Sequence, residues 1–538
     1  MKKRKIISIL PVLLFVCCSF LTSCKPETPN DDNLSEYVRT QKEKWYIGPN
    51  RKLSWYIGIS WWPYTNSWTS YPVLNEVTQI TGVTPKTSIA QDGDNTSLKL
   101  RMANDKLPDL ITIGIDDPLI EILIEEDYVY SYDELIDRYS EDYVNMETFK
   151  SWCSEDFWKC TAWHTDNEKH DGKIYGLNSF YYPRVEDIGQ FTFNVREDIY
   201  EAIGKPDMST EEGFYNGLKA VKAAYPDMKP LSLPESWYYW IFEEAFGVKP
   251  YYVTEEGVKM RVKNPEFKNA LLYLRKLYAE GLLDRDVFVN SDKTSELASG
   301  KIFCYPVTYW DLDSINAVLG DGHRFVAIEP LRGNAIGDDV RFQGTSRRGW
   351  TTTLISKKCS DPEAAIKFAQ YMFSEDGNLL VCYGHENEHY NLVGTDQIER
   401  TPEVIAQRDA NLTKFENETG IFTQRLFNYP YYFEVPSTNP YKVNNVEKAS
   451  RYVYDNTVFT YKMTPSSKTR LGDISSKVWA KYNILFPQMV VAETEQAARD
   501  ALTSAITEME RIGLSSLEDY WTSQYNKNIL EFGDPFGK

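Results

Sequence analysis

The chain has 538 residues, 42% of them apolar and 25% charged, which is ordinary globular composition at a length that suits two or more lobes. Its formal net charge of −19 at pH 7 excludes nonspecific attraction to a phosphate backbone, because that attraction depends on clustered Lys and Arg. Beyond the N-terminal segment no apolar run approaches the length of a membrane span.

In chain order, Lys2-Lys3-Arg4-Lys5 is a cationic head, residues 6–21 form an apolar run, and Thr22-Ser23-Cys24 follows. A positive head, an apolar core too short to span a bilayer comfortably and small residues at its end describe an export signal over 1–23. Leu21-Thr22-Ser23-Cys24 resembles a bacterial lipoprotein signal. That resemblance implies that Cys24 carries diacylglycerol and a further acyl chain such as palmitate, holding the body at the outer face of the cell membrane. Residues 24–50 are polar and contain Pro26 and Pro29, the composition of a flexible stalk.

The body then alternates. Residues 52–59 read as a strand, 73–80 as a helix ended by Gly82, 83–89 as a strand, 97–104 as a helix and 107–114 as a strand. That alternation is the signature of a parallel α/β layer. Residues 172–177 read as a hairpin edge and 191–196 as a strand entering a second unit. Ser209-Thr210-Glu211-Glu212 is a capping box opening a helix to about Ala224. Leu271, Leu274, Leu277 and Tyr278 share one helix face before Gly281, and residues 300–305 and 349–356 are strands. Ser360-Asp361-Pro362-Glu363 starts a helix that should break at Asp376-Gly377. The last third is mainly helical, with a stripe of Ala498, Leu502, Ala505, Ile506 and Met509 before Gly513.

Cys17 and Cys18 leave with the signal, and besides Cys24 only Cys153, Cys160, Cys304, Cys359 and Cys382 remain. An odd, scattered set is no disulfide framework, although Cys153 and Cys160 are close enough in sequence to pair. Aromatic residues reach 14%, with 14 Trp and 37 Tyr. Most of them fill core, but clusters fall in loops: Trp61-Trp62, Tyr181-Tyr182, Trp237 to Trp240, Tyr309-Trp310 and Trp350. Flat rings stack on the apolar faces of sugars while carboxylates and amides bind hydroxyls, so an acidic, tryptophan-rich exported protein leans towards carbohydrate.

Several segments in this order resemble the extracellular solute-binding lipoproteins of bacterial ABC importers, in the oligosaccharide-type branch of Gram-positive bacteria. The carriers are Leu107-Pro108-Asp109-Leu110-Ile111, Asp171-Gly172-Lys173-Ile174-Tyr175-Gly176-Leu177, Val195-Arg196-Glu197-Asp198-Ile199, Ser299-Gly300-Lys301, Ile355 to Ala365, and Tyr383-Gly384-His385-Glu386. The resemblance implies an α/β, two-lobed periplasmic-binding-protein-like fold with an interlobe cleft. Lobe 1 would hold 51–183 and 332–380, and lobe 2 would hold 184–331 and 381–538 with the C-terminal helices. It further implies a monomeric, non-catalytic receptor that delivers a carbohydrate to permease subunits driven by a cytoplasmic ATPase, with no nucleic acid and no cofactor. Ligands in such folds sit beyond strand C-termini. The candidate contacts are therefore Trp61, Trp62, Asp116, Asp117, Tyr181, Tyr182, Trp237, Tyr309, Trp310, Asp311, Arg347 and Trp350, although Asp116 and Asp117 could instead cap the helix near Pro118. A peptide or another small solute in the same cleft is the alternative cargo.

Two motifs pull elsewhere. His385-Glu386-Asn387-Glu388-His389 fits H-E-x-x-H, in which two histidines one helical turn apart bind zinc and the glutamate activates water. Gly384 before it, Asn387 inside it and no apolar stripe around it speak against the helix this chemistry needs. The acidic turn Asp166-Asn167-Glu168 with Asp171 suggests a structural calcium loop, as some relatives carry, but the spacing departs from the EF-hand pattern.

Overall fold

The computed structural model describes residues 34–536 apart from 94, 142, 235–238, 290–292 and 320–322. Two sheets organise it. In the first, Val83–Ile89, Arg51–Ile57, Leu110–Gly114, Thr351–Ser356 and Val129–Tyr130 lie side by side in that order, and Gly176–Ser179 also pairs with Thr351–Ser356. The first three are parallel to one another, whereas Thr351–Ser356 runs against both Leu110–Gly114 and Gly176–Ser179. All six residues of Thr351–Ser356 are buried, as a central strand covered on both faces requires. Its buried hydroxyls find partners inside the sheet: Thr353 with Thr112 at 2.7 Å and Thr351 with Ser179 at 2.6 Å.

The helices form where the apolar period and the caps agree. Pro72–Thr81 buries Val73, Leu74, Val77 and Ile80 and stops at Gly82. Glu211–Ala224 is capped by Thr210, whose hydroxyl accepts the Gly213 N–H at 3.0 Å. Pro362–Phe373 is capped by Asp361 through the Ala364 N–H at 3.1 Å. The break expected at Asp376-Gly377 falls earlier, at Ser374. That residue caps a new helix, Glu375–Tyr383, and Gly377 lies in its first turn.

In the second sheet, Phe191–Arg196 pairs along one edge with Ile302–Cys304 and Val307–Thr308 and along the other with Phe325–Ile328, and Lys229–Leu231 lies beyond Ile302–Cys304. Antiparallel register sets Thr308 against Phe191 and Cys304 against Val195. The chain therefore emerges at Tyr309 beside the start of Phe191–Arg196, and the Tyr309 N–H donates to Gln190 O at 2.8 Å. The C-terminal helices Arg470–Val490, Glu495–Ile512 and Leu514–Phe532 close this sheet's core, burying Ala498, Leu502 and Met509.

Core membership redraws the expected lobe boundaries. Leu331, Val340 and Phe342 belong to the second core, because Phe342–Gln343 pairs with Val453–Tyr454 there. Val404, Phe415, Ile421, Leu426 and Phe427 belong to the first, where the Phe427 ring lies 5.7 Å from that of Trp55. Residues 332–342 thus pass to the second body and 381–427 to the first. The expected stalk is corrected as well. Glu36–Trp45 is a helix capped by Ser35, and Trp45 is buried among Tyr143, Trp152 and Tyr371 with its Nε1–H on Asp376 at 2.9 Å. Cys24 and residues 24–33 lie outside the described residues. Cys153 and Cys160 are both free thiols. No helix among the described residues is long and apolar enough to cross a membrane.

Two crossings between the bodies run antiparallel and bond to each other. Trp350 N–H donates to Ser179 O at 3.0 Å, Tyr182 N–H to Arg347 O at 3.2 Å, and Thr345 N–H to Ile188 O at 3.1 Å. Glycine is required twice along this ladder. Gly349 has φ +106°, and a Cβ there would stand 2.1 Å from Ser179 O; one on Gly344 would meet Ile188 Cγ1 at 2.5 Å.

Candidate functional site: an aromatic platform at the interlobe ladder

The strand directions of the first sheet collect one set of loops at one edge. Residues following Arg51–Ile57, Val83–Ile89, Leu110–Gly114 and Gly176–Ser179, and those preceding Thr351–Ser356, all emerge there. Trp61, Trp62, Asp116, Asp117, Tyr181, Tyr182, Arg347 and Trp350 are therefore brought together, as is Asp92, which the sequence reading overlooked.

The rings assemble into a layered platform. Trp61, 65% exposed, stacks on Trp350 with centroids 5.5 Å apart and planes 20° apart. Trp62 is buried beneath, 6.1 Å from Trp350. Arg425 supports the stack from below: its guanidinium lies 4.9 Å from the Trp62 ring and 4.7 Å from Phe422, and its Nη1 donates to Phe422 O at 2.9 Å. Phe180 meets both Trp350 and Phe422 edge-on, at 6.1 and 6.2 Å. Its φ of +60° is unusual for a bulky side chain and is tolerated because the ring is held in that notch. The Trp62 Nε1–H is buried with no partner among the described residues. An exposed indole face over a supported aromatic stack can carry the apolar face of a ring-shaped ligand, and the neighbouring polar groups can meet its edges.

Asp116 stands beside this platform, since the N–H of Ile115 donates to Trp350 O at 3.0 Å. Its side chain is 40% accessible and faces the Arg348 guanidinium, Nη1 to Oδ1, at 3.4 Å. Enclosure by protein pushes this carboxyl up, while the Arg348 charge pulls it back. Arg348 itself is buried: its Nε donates to Cys160 O at 3.2 Å and its plane lies 4.2 Å from the Tyr461 ring. Asp117 is turned inward, accepting the Leu119 N–H at 2.8 Å and the Asn95 amide at 2.7 Å, which is the capping alternative. Tyr181 is buried, stacked on Tyr429 at 6.1 Å and bonded to Asp156. Arg347 also binds Asp156 and holds Tyr182 O at 3.2 Å, so it braces the ladder. Tyr182 is half-buried and its phenol is pushed up by burial.

The second sheet contributes at the other end of the ladder. Trp310 is 47% exposed and is propped edge-on by Tyr309 at 5.1 Å. Asp311 accepts the Thr308 hydroxyl. Trp240 rests edge-on against Phe191 at 4.5 Å. Trp237 lies outside the described residues. Arg425, Phe422 and Phe180 escaped the sequence reading because no local pattern marks them; they reach the platform through the fold alone.

The two competing motifs do not assemble. His385 to His389 forms a turn in which His389 N–H donates to His385 O at 2.8 Å, while the His385 ring pairs with Glu76 at 3.1 Å and sits under Tyr37. The helix required by the zinc reading is replaced by this turn. In the acidic loop, Asp171 Oδ1 accepts the Thr165 N–H at 3.0 Å, Asp166 reaches Lys527 at 3.0 Å, and the Asn167 amide bonds Glu125. These groups point to separate partners and do not fit a calcium ion. No group of three or more His, Cys, Asp or Glu arranged for a metal occurs among the described residues.

A family model described as bacterial extracellular solute-binding protein matches residues 74–382. A curated relative from Niallia circulans, an uncharacterized protein in the butB 5′ region, is 26% identical over 126 residues, which cover 23% of this chain and 48% of that relative. Among solved structures, the S. pneumoniae ABC-transporter substrate-binding protein FusA in complex with kestose superposes with TM-score 0.67 at 18% identity, over 89% of this chain and 99% of that one. The HMO-binding, ABC-transporter-associated solute-binding protein of Bifidobacterium longum infantis gives 0.66 at 14% identity, with the same coverage.

Proposed function

The chain belongs to the bacterial extracellular solute-binding proteins, and from that premise we propose that it captures an oligosaccharide between its two bodies and delivers it to an ABC permease. The observation that carries this reading is the Trp61–Trp350 stack, open to solvent at the sheet edge and backed by Trp62 and Arg425. Trp310, exposed across the crossing ladder, supplies a second ring on the opposite body. A ligand that touches both rings favours the closed arrangement by its difference in affinity for closed over open. The protein acts by binding and not by catalysis, works as a monomer outside the cytoplasm, and is tethered through lipid on Cys24. FusA and the Bifidobacterium protein, whose names record sugar ligands, support the choice of cargo.

The test is thermal unfolding of the body after Cys24 against malto-, cello-, manno-, fructo- and lacto-oligosaccharides, monosaccharides, peptides and zinc. A ligand at 100 times its Kd adds about 2.7 kcal/mol to folded-state stability. A melting rise with one oligosaccharide series supports the reading. Shifts with peptides or zinc, and with no sugar, overturn it.

A further inference from the structure

The charges around the platform say which oligosaccharides it takes. Three guanidiniums surround it, and each is committed within the protein. Arg347 is bound to Asp156 and to Tyr182 O, Arg348 to Cys160 O and the Tyr461 face, and Arg425 to Phe422 O and the Trp62 face. None of the three is presented as a fork for a ligand carboxylate, which is how a protein selects an acidic group. Among the described residues, the ionisable side chain beside the platform that keeps an open face is Asp116, 40% accessible with a long 3.4 Å contact to Arg348, whose charge opposes the rise that enclosure imposes on the carboxyl. Asp92, half-buried after Val83–Ile89 two strands away, adds the same sign; its Oδ1 accepts the Thr96 N–H at 2.8 Å.

We propose that the site selects uncharged oligosaccharides and that Asp116, steadied by Arg348, is the residue that turns acidic ones away. This deepens the sugar-binding reading and depends on it. A uronate stacked on Trp61 would bring its charge towards Asp116 inside a partly enclosed site, where repulsion is screened less than in water. A neutral sugar meets the same carboxylate as a hydroxyl acceptor.

The experiment uses calorimetry at pH 8 and low salt. Each neutral series from the panel is paired with the same series after its primary hydroxyls have been oxidised to carboxylates. The wild type is expected to bind the oxidised form at least about tenfold more weakly, which corresponds to about 1.4 kcal/mol. Added sodium chloride should shrink that gap in the wild type. Asp116→Asn should also shrink it, whatever it does to neutral affinity. An oxidised form that binds as tightly as its neutral parent overturns the proposal. So does a gap that neither salt nor Asp116→Asn alters, since oxidation would then have removed a needed hydroxyl instead of adding an unwanted charge. If no neutral or oxidised sugar binds, the sugar reading falls first and this inference with it. The salt series needs no variant, so a misfolded Asp116→Asn still leaves the proposal open to refutation.

Discussion

The two sheet edges that meet at the crossing ladder are built differently. On the first, the exposed ring of Trp61 is the top of a layered stack continuous with the core: Trp350, then Trp62, then Arg425. On the second, Trp310 stands 47% exposed on the turn after Thr308, propped among the described residues by the ring of Tyr309. The first edge is a packed stack of rings, and the second shows fewer ring contacts among the described residues. A two-bodied receptor gains from this division. In the proposed binding mode a rigid platform would orient the ligand at low entropic cost, and a less packed ring would complete the contact as the bodies close.

The comparison breaks most visibly at Trp62. Because that ring is core and platform at once, Trp62→Ala should lower stability by about 3–5 kcal/mol, measured by denaturant unfolding. Trp310→Ala should stay within about 0.5 kcal/mol in the same assay. Equal losses would mean that the two edges are built alike. Next in size is Trp350→Ala, which removes the partner of Trp61 and should weaken oligosaccharide binding by about tenfold or more, read by calorimetry. Binding that survives this change unaltered would take the platform out of the site. Trp310→Ala should weaken binding by a smaller factor, about three- to tenfold, with no change in melting temperature. A loss larger than that of Trp350→Ala would reverse the roles assigned to the two edges.

The smallest expected effect lies away from both edges and calibrates them. His385 is held above its ordinary value by its hydrogen bond to Glu76, with Glu388 adding to the rise and burial opposing it. The neighbouring His389 is pushed down, chiefly by burial. A raised histidine contributes stability that is complete below its ordinary pKa, about 6.5, and is lost as pH rises through the folded value. The melting-temperature difference between wild type and His385→Gln should therefore be wider at pH 5.5 than at pH 8.5. A difference that is flat or inverted would mean that the Glu76 pair does not form in solution.

Much of this was legible in residue order because local chemistry decided it. Pro72 and Gly82 bracket a helix, Thr210 and Asp361 cap two more, and the strands Arg51–Ile57 and Leu110–Gly114 end a few residues before Trp61 and Asp116. What stayed hidden depended on distant partners. The polar stretch before residue 51 reads as a stalk until Trp45 is seen filling a slot made by Tyr143, Trp152 and Tyr371. Asp116 and Asp117 look alike in the sequence, yet one faces Arg348 at the cleft edge and the other caps a helix. H-E-x-x-H matches as a string and fails as a helix, because Gly384 and Asn387, with φ +87° and +66°, turn the backbone away.

By itself, the sequence determined the element types, the α/β alternation and the presence of aromatic clusters at strand ends. All of these follow from hydrogen bonding, capping and apolar periodicity within a few residues. Only the tertiary structure decided which clusters meet. It placed Arg425 and Phe422, some 360 residues along the chain from Trp62, beneath the platform. It also assigned residues 381–427 to the first body and committed the three guanidiniums. Those outcomes depend on burying apolar surface between segments far apart in the chain, and no local pattern encodes which segments those will be.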